Sequence, residues 1–595
     1  MAIFRAAVSV ASAASLGACL AAGSAQNVAP ASEPATIAVA PTLTEADIVD
    51  AYEALSTSAS PDLSARLAGE PARVWSDVSP QAVAQRAQAA RDIRAMLGQV
   101  DMAEDDAAIL RRLTESYVRA ETLDTARVPF TGDWGFQGEP IFAAMRVRIR
   151  SVDDAEAWIA RLEDIPRYFA DHVENMRRGI ETGWTAYGDP LATTTDQIRE
   201  QIVEAPNESD LFAPFDRLPA SIAPEEAERL RTDGAEAVAT AVQAYRDLLA
   251  FMELDYAPAA RPEPGLVTLD GGKDAYALAV EHHTAGAGYS PDDIHVLGKS
   301  EVARIRAEMD LIIEETGFDG TFSEFVAFLR TDEDFYAKTP EDLLRRASEI
   351  SKRLDAVLPE YFGILPRLTY GVEPVPAAIA PGYTTGRYAQ GDPKEGRPGT
   401  YLVNTYALDQ RPLYQLPALS AHEAVPGHHL QIALAQELED RPRFRQDYYA
   451  TAFGEGWALY AERVAGEAGI YETPYERFGA LSYEMWRACR LVADTGLHHY
   501  GWSREEAEAC FKENTALAPL NIKTEVTRYI GWPGQATAYK IGELKIRELR
   551  ARAEDALGED FDIRTFHDAV LGAGSLPLDR LEVRIDAWIA EQLES

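Results

Sequence analysis

From about residue 44 onward, apolar residues recur at helical spacing, and strand-like alternation is rare. Ser290-Pro291-Asp292-Asp293 places a cap, a first-turn proline and two acids where a helix begins. Leu297, Val302, Ile305, Met309 and Ile312 then follow at near-helical intervals. Thr339-Pro340-Glu341-Asp342 repeats that start signal, and Thr473-Pro474-Tyr475-Glu476 and Ser503-Arg504-Glu505-Glu506 fit capping boxes. Amphipathic stretches cover 153–178, 223–253 and 541–554, and 446–467 also reads as helix. Strand signals fall at 367–374 and 398–407, where β-branched and aromatic residues are flanked by Gly and Pro, with a polar loop at 382–397 between them. The pattern predicts a mainly α fold with one small sheet near residues 367–407 and no fixed-period repeat.

The beginning of the chain reads differently. In residues 1–25, Arg5 precedes a charge-free run of small apolar residues, the layout of a bacterial secretory signal. Two processing sites compete there. Leu16-Gly17-Ala18-Cys19 resembles a lipobox, which would lipidate Cys19 and tether the protein to a membrane. Gly23-Ser24-Ala25 fits ordinary cleavage. The lipobox is the preferred reading, and a retained membrane helix is disfavoured because the run is short and Ala/Ser-rich. Residues 26–43 are Pro/Ala/Ser-rich and read as a tether. Residues 44–595 then form the helical part, divided for description into 44–265 and 266–595. An exported protein, periplasmic or held at the cell envelope, follows.

Composition narrows the function. With 57 Lys+Arg against 96 Asp+Glu, the net charge of −39 makes a nucleic-acid partner unfavourable. A hydrophobic fraction of 46% excludes disorder throughout. After signal removal only Cys489 and Cys510 remain, and two buried free thiols are preferred to a disulfide.

The chemistry concentrates at 420–462. Three of the ten histidines stand within eight residues, in His422-Glu423-Ala424-Val425-Pro426-Gly427-His428-His429. Zinc-peptidase helices place two histidines one turn apart with a glutamate base between them. Here six positions separate His422 from His428, a rise of about 9 Å on a regular helix, too far for one ion. Pro426 must deform the helix and Gly427 permits it, so a two-residue bulge would return His428 to His422. Downstream, Gly454-Glu455-Gly456-Trp457-Ala458 offers Glu455 as a third ligand, and the two glycines suggest close approach of another backbone. Glu462, seven residues on, shares the face of Glu455 and could orient a histidine. His429 stays open as an alternative ligand. His282-His283 reads as a capped or solvated pair.

These residues resemble the signature of the bacterial domain-of-unknown-function 885 family, His-Glu-Ala-x-Pro-Gly-His-His followed by Glu-Gly-Trp-Ala. The resemblance extends to 399–405, Asp494-Thr495-Gly496-Leu497-His498-His499 and Tyr529-Ile530-Gly531-Trp532-Pro533-Gly534-Gln535-Ala536. The family is itself similar to helical gluzincin metallopeptidases of the thimet-oligopeptidase and thermostable-carboxypeptidase type. That likeness implies one zinc per chain on His422, His428 and Glu455, with Glu423 as general base. It also implies an oxyanion donor from the C-terminal part, for which Tyr529, Tyr539 and His498 are candidates. Arg490 and Arg528 are candidates for a substrate carboxylate. The strand at 400–405, with Asn404, is a candidate for the substrate backbone. The expected function is an exported zinc metallopeptidase acting on peptides. The alternatives are a non-peptidic, amidase-like zinc hydrolase and a non-catalytic, metal-stabilised binding or regulatory lipoprotein.

Overall fold

The structure is a computed structural model and describes residues 43–594 apart from 132–133, 378–379, 381–382 and 395. The secretory-signal and tether readings, Cys19 included, therefore lie outside the described residues. No described helix is long and apolar enough to cross a membrane.

The start signals work as their chemistry requires. Ser290, Thr473 and Ser503 cap helices Pro291–Thr316, Pro474–Thr495 and Arg504–Asn514, each in a reciprocal capping box. Thr339 accepts from the Asp342 backbone at the head of Pro340–Tyr361. The amphipathic stretches 223–253 and 541–554 become Pro224–Phe251 and Ala538–Leu557, and the helix expected at 446–467 is Thr451–Glu467, preceded by a separate short helix, Arg443–Asp447. Stretch 153–178 divides at Asp164 into Val152–Glu163 and Ile165–Thr182.

The helices wrap two hydrophobic cores. One gathers side chains from Trp75 to Tyr256 and includes Trp158, Phe215 and Tyr245. The other holds the chemistry-bearing helices together with Trp457, Phe478, Tyr529 and Phe566. Ile48, Tyr52, Ile93 and Leu110, near the start of the chain, pack into the second core rather than the first. Apolar faces choose their partner by complementary surface, which order along the chain does not dictate.

A buried charge cluster locks three helices of the second core. The Lys540 ammonium is fully buried and lies 3.0 Å from Glu301, 2.7 Å from Glu484 and 2.9 Å from Glu543. Arg304 and Arg547 join these carboxylates, so three cations face three anions.

The sheet holds three strands, not two. Tyr370–Pro374 runs parallel to Gly399–Val403, and Gly386–Ala389 pairs antiparallel on the other side. The last strand lies in the segment expected to be loop. Its short, glycine-bounded sequence carries almost no alternation to read. Gly399–Val403 is thus the central strand, and the outer edge belongs to Gly386–Ala389. A backbone paired on both sides has no ladder left for a substrate, so the 400–405 expectation is corrected. Phe130–Thr131 and Trp134–Gly135 add a two-stranded ribbon that the pattern did not predict.

Cys489 and Cys510 form a disulfide, which overturns the free-thiol expectation. Helix Pro474–Thr495 continues as a π turn, Gly496–Tyr500, and the chain folds back into Arg504–Asn514. That reversal brings the two Cα atoms to 5.7 Å across a separation of 21 residues. Closing a loop of this length should stabilise the fold by about 3 kcal/mol through the unfolded state. The double variant Cys489→Ala/Cys510→Ala should therefore unfold at lower denaturant, and a midpoint unchanged from wild type would show that the bridge contributes nothing.

Candidate metal centre

The ligand arrangement begins with a broken helix. Leu416–Glu423 ends at Ala424, and a second helix restarts at His428 and runs to Gln436. The expected two-residue bulge is in fact a four-residue excursion, Ala424–Gly427, with a cis Val425–Pro426 peptide. Its ends are tied by hydrogen bonds. The Gly427 N–H donates to the Ala421 carbonyl at 2.9 Å, and the His429 N–H to the Ala424 carbonyl at 3.0 Å. Gly427 has no substitute here, since a Cβ would lie 2.0 Å from the His422 carbonyl oxygen. Trp457 fastens the excursion from the next helix through Nε1–H to the Pro426 carbonyl, 2.8 Å.

The break brings His422 and His428 together, their rings 4.8 Å apart and nearly perpendicular. Glu455 reaches between them from helix Thr451–Glu467. Its Oε2 is 3.7 Å from His422 Nε2 and 3.4 Å from His428 Nε2. One ligand atom from each of the three lies within 4.8 Å of the others. Glu462 bonds His422 Nδ1 at 2.8 Å, which leaves Nε2 directed at Glu455. Arg487 lies 3.5 Å from the same Glu462 oxygen.

The two glycines beside Glu455 serve different neighbours. At Gly456 a Cβ would stand 2.5 Å from the Gly542 backbone, so the helices cross at glycine on glycine. At Gly454 a Cβ would meet the phenol end of Tyr449 at 2.2 Å. Close backbone approach, expected of both, holds only for Gly456.

Electrostatics mark the centre. Burial alone would lower the His422 pKa, but its hydrogen bonds to Glu455 and Glu462 outweigh that and push it up to about 9. Burial works against the Glu455 carboxylate, yet His428 and His422 hold it well below the usual range. Two carboxylates around two imidazoles thus make a pocket that attracts positive charge.

Glu423, beside His422, faces the sheet, and its Oε2 accepts the Tyr388 N–H at 2.7 Å. In an antiparallel pair such an outward N–H belongs to a position not bonded to its partner strand. The carboxylate therefore lies along the free edge of Gly386–Ala389. His429 points elsewhere. Its Nε2 donates to the Leu368 carbonyl at 3.0 Å and its Nδ1 meets the Tyr388 hydroxyl at 3.0 Å, and burial lowers its pKa to about 4. It is a sheet anchor and not an alternative ligand.

The other candidates separate into near and far. Tyr539 stands close enough to Glu455 that this charge, after burial, raises its phenol pKa most. Tyr529 is fully buried and engaged, taking bonds from Trp486 and Arg490 and donating to Glu525 at 2.8 Å. His498 accepts the Leu266 N–H and donates to the Tyr529 carbonyl, so it supports the fold. Asn404 is buried and donates to three backbone carbonyls, those of Ala380, Tyr383 and Thr384. Arg490 and Arg528 both pair with Glu525 at 3.0 Å. The substrate-contact roles of Asn404 and Arg528, and the donor roles of Tyr529 and His498, are corrected, because their polar groups already hold the protein itself; Arg490 pairs with Glu525 but keeps Nη1 buried without a partner.

Two residues at the centre escaped sequence reasoning. Tyr449 is partly exposed, and its phenol end is pressed against Gly454. Crowding by protein raises its pKa first, followed by the charges of Glu455, Tyr539 and Glu423. Tyr383 flanks the other side, raised by burial and Glu423 and bonded to Arg387. Only their tyrosine type hinted at a role; nothing in their spacing did.

A Colwellia psychrerythraea structure described as "the putative lipoprotein" superposes with a TM-score of 0.82 at 26% identity, covering 92% of this chain and all of that one. A "putative lipoprotein of unknown function" from Shewanella oneidensis gives 0.72 at 17% identity over 90% and 98% of the two chains, a likeness of fold alone. No curated protein matches the chain. The family described as bacterial protein of unknown function, DUF885, matches residues 63–585, and the chain belongs to it.

Proposed function

We propose that this protein is an exported, zinc-dependent hydrolase of peptide bonds. The observation that carries the reading is the convergence of His422 Nε2, His428 Nε2 and the Glu455 carboxylate within 4.8 Å, with Glu423 alongside. Two imidazoles and one carboxylate fit a single zinc of the catalytic type, and Glu462 behind His422 is the outer partner such a site requires. The likeness to helical gluzincin peptidases belongs to the same reading and rests on the His-Glu and Glu-Gly-Trp-Ala residues. Zinc, one per chain, would supply Lewis acidity and lower the pKa of water.

The chain's own groups supply the rest. Glu423, aimed by the Tyr388 N–H, takes the proton of the attacking water and passes it to the leaving amine as the carbonyl carbon–nitrogen bond breaks. Tyr449 and Tyr539 hold their phenol protons firmly and can donate to the developing oxyanion. The free edge of Gly386–Ala389 beside Glu423 can take an extended peptide as an added strand, which favours a peptide over a small amide. The Colwellia protein's description and the Arg5–Cys19 sequence together support lipid anchoring at the cell envelope.

Metal content of the variants tests the ligand set. His428→Ala should lose zinc and His429→Ala should retain it; the reverse pattern would exchange their roles. Because the metal-free His422 is protonated below about pH 9 and Glu455 is already ionised, zinc uptake at pH 7.5 should displace the His422 proton. Calorimetry in buffers of different ionisation enthalpy should read at least one proton released per zinc, from His422 and in part from the metal-bound water, whereas zero would place the ligand proton elsewhere. In a peptide panel with chelator controls, Glu423→Gln should keep the metal and lose on the order of 10³-fold in kcat, and Tyr449→Phe or Tyr539→Phe should lower kcat with little change in KM. Wild-type turnover by Glu423→Gln would remove it as the base.

A further inference from the structure

A cavity of about 330 Å³ lies between the two hydrophobic cores, away from the metal ligands. Its volume is in the range of small-ligand sites, and such sites favour boundaries between packed units. Phe130 and Trp184 line it from one side, and Leu266, Leu269, Ile530 and Trp532 from the other.

The polar groups in this apolar wall are unusual. In a chain of net charge −39, Arg119 and Arg261 both line the cavity; among the described residues neither makes a direct ion pair with a carboxylate, and Glu281 and Glu115 act on Arg119 only from longer range. Arg119 donates only weakly to the Leu278 carbonyl, at 3.4 Å. Arg261 is buried and bonds the carbonyls of Thr185, Glu263 and Pro264. The cavity's carboxylate, Asp124, is engaged by Arg178 and Arg127. Burial lowers the pKa of both cavity arginines, Arg261 to about 10, the mark of desolvated cations. His283 adds an Nδ1 that is buried without a partner. Three carbonyls compensate the buried Arg261, whereas the half-buried Arg119, with one weak hydrogen bond, keeps donors free for an anion.

We propose that this cavity binds a small amphipathic acid, an apolar body ending in one carboxylate, with the carboxylate toward Arg119. The apolar walls take the hydrocarbon, and Arg119 and the free His283 nitrogen meet the head group. The site is separate from the metal chemistry and does not depend on the hydrolase reading.

Octanoate, octanol and octylamine share one chain and differ in the head group, so they separate charge recognition from simple greasiness. Calorimetry, with the fluorescence of Trp184 and Trp532 as a second readout, should show one saturable octanoate site per chain. Octanol should bind about tenfold more weakly and octylamine not at all. Arg119→Gln should weaken octanoate about tenfold and leave octanol unchanged. Ala279→Phe, which fills the cavity, should abolish both while circular dichroism and zinc content stay as in wild type. Should Arg119→Gln fail to fold, the head-group series and Ala279→Phe decide alone. Equal binding of octanoate and octanol, undiminished binding by Ala279→Phe, or no saturable octanoate site would overturn the proposal.

Discussion

The contact of the Gly427 backbone with the carbonyls of Ala421 and His422 is the constraint on which the centre depends. An unbroken helix would hold His422 and His428 about 9 Å apart along its axis. By ending one helix and restarting another four residues on, the chain places both imidazoles beside one carboxylate. That geometry tolerates no Cβ at the crossing. The excursion is then held from outside by the Trp457 indole, which rises from the same helix that carries Glu455. A single helix thereby supplies the candidate ligand Glu455, the clamp on the break, and Glu462 bonded to the first histidine.

The supporting shell explains why so many polar residues of the C-terminal half are buried. The crossing of Gly456 on Gly542 lets two helices approach at backbone distance. The Lys540 cluster fixes that second helix against two others. Removing one member of such a cluster leaves an uncompensated charge, so its worth lies in holding one arrangement as much as in net energy. Asp494 accepts from the Tyr276 hydroxyl and the Gly534 N–H, and burial raises its pKa to about 7. His498 ties Leu266 to the end of the Tyr529 helix. These residues carry polar chemistry and use it to anchor the segment from which Tyr539 follows.

The seam between the two cores poses a different physical problem. At the metal centre the side chains close on one another, whereas at the seam the apolar walls stop short and leave a cavity of about 330 Å³ beside Arg119 and Arg261. Arg261 serves the fold there by bonding three carbonyls, and Arg119 is left with a single weak hydrogen bond.

The amino-acid sequence by itself determined the helical character and the caps, and it singled out the His/Glu residues that the fold gathers into the candidate metal centre. Those features are local: caps need a side chain three residues away, and a ligand histidine is named by its spacing to Pro426-Gly427. Tertiary structure decided which groups remain free to act. His429, His498, Asn404 and Arg490 are as reactive in type as His428 and Glu423, but their partners lie tens to hundreds of residues away, and Tyr529 and Arg528 are held within a helical turn by Glu525, which helix packing positions against Arg490. The edge strand at 386–389, the Cys489–Cys510 bridge and the position of Tyr449 over Gly454 were settled in the same way. Each depends on which surfaces meet in space, and hydrophobic periodicity records only that a surface exists, not which other surface will cover it.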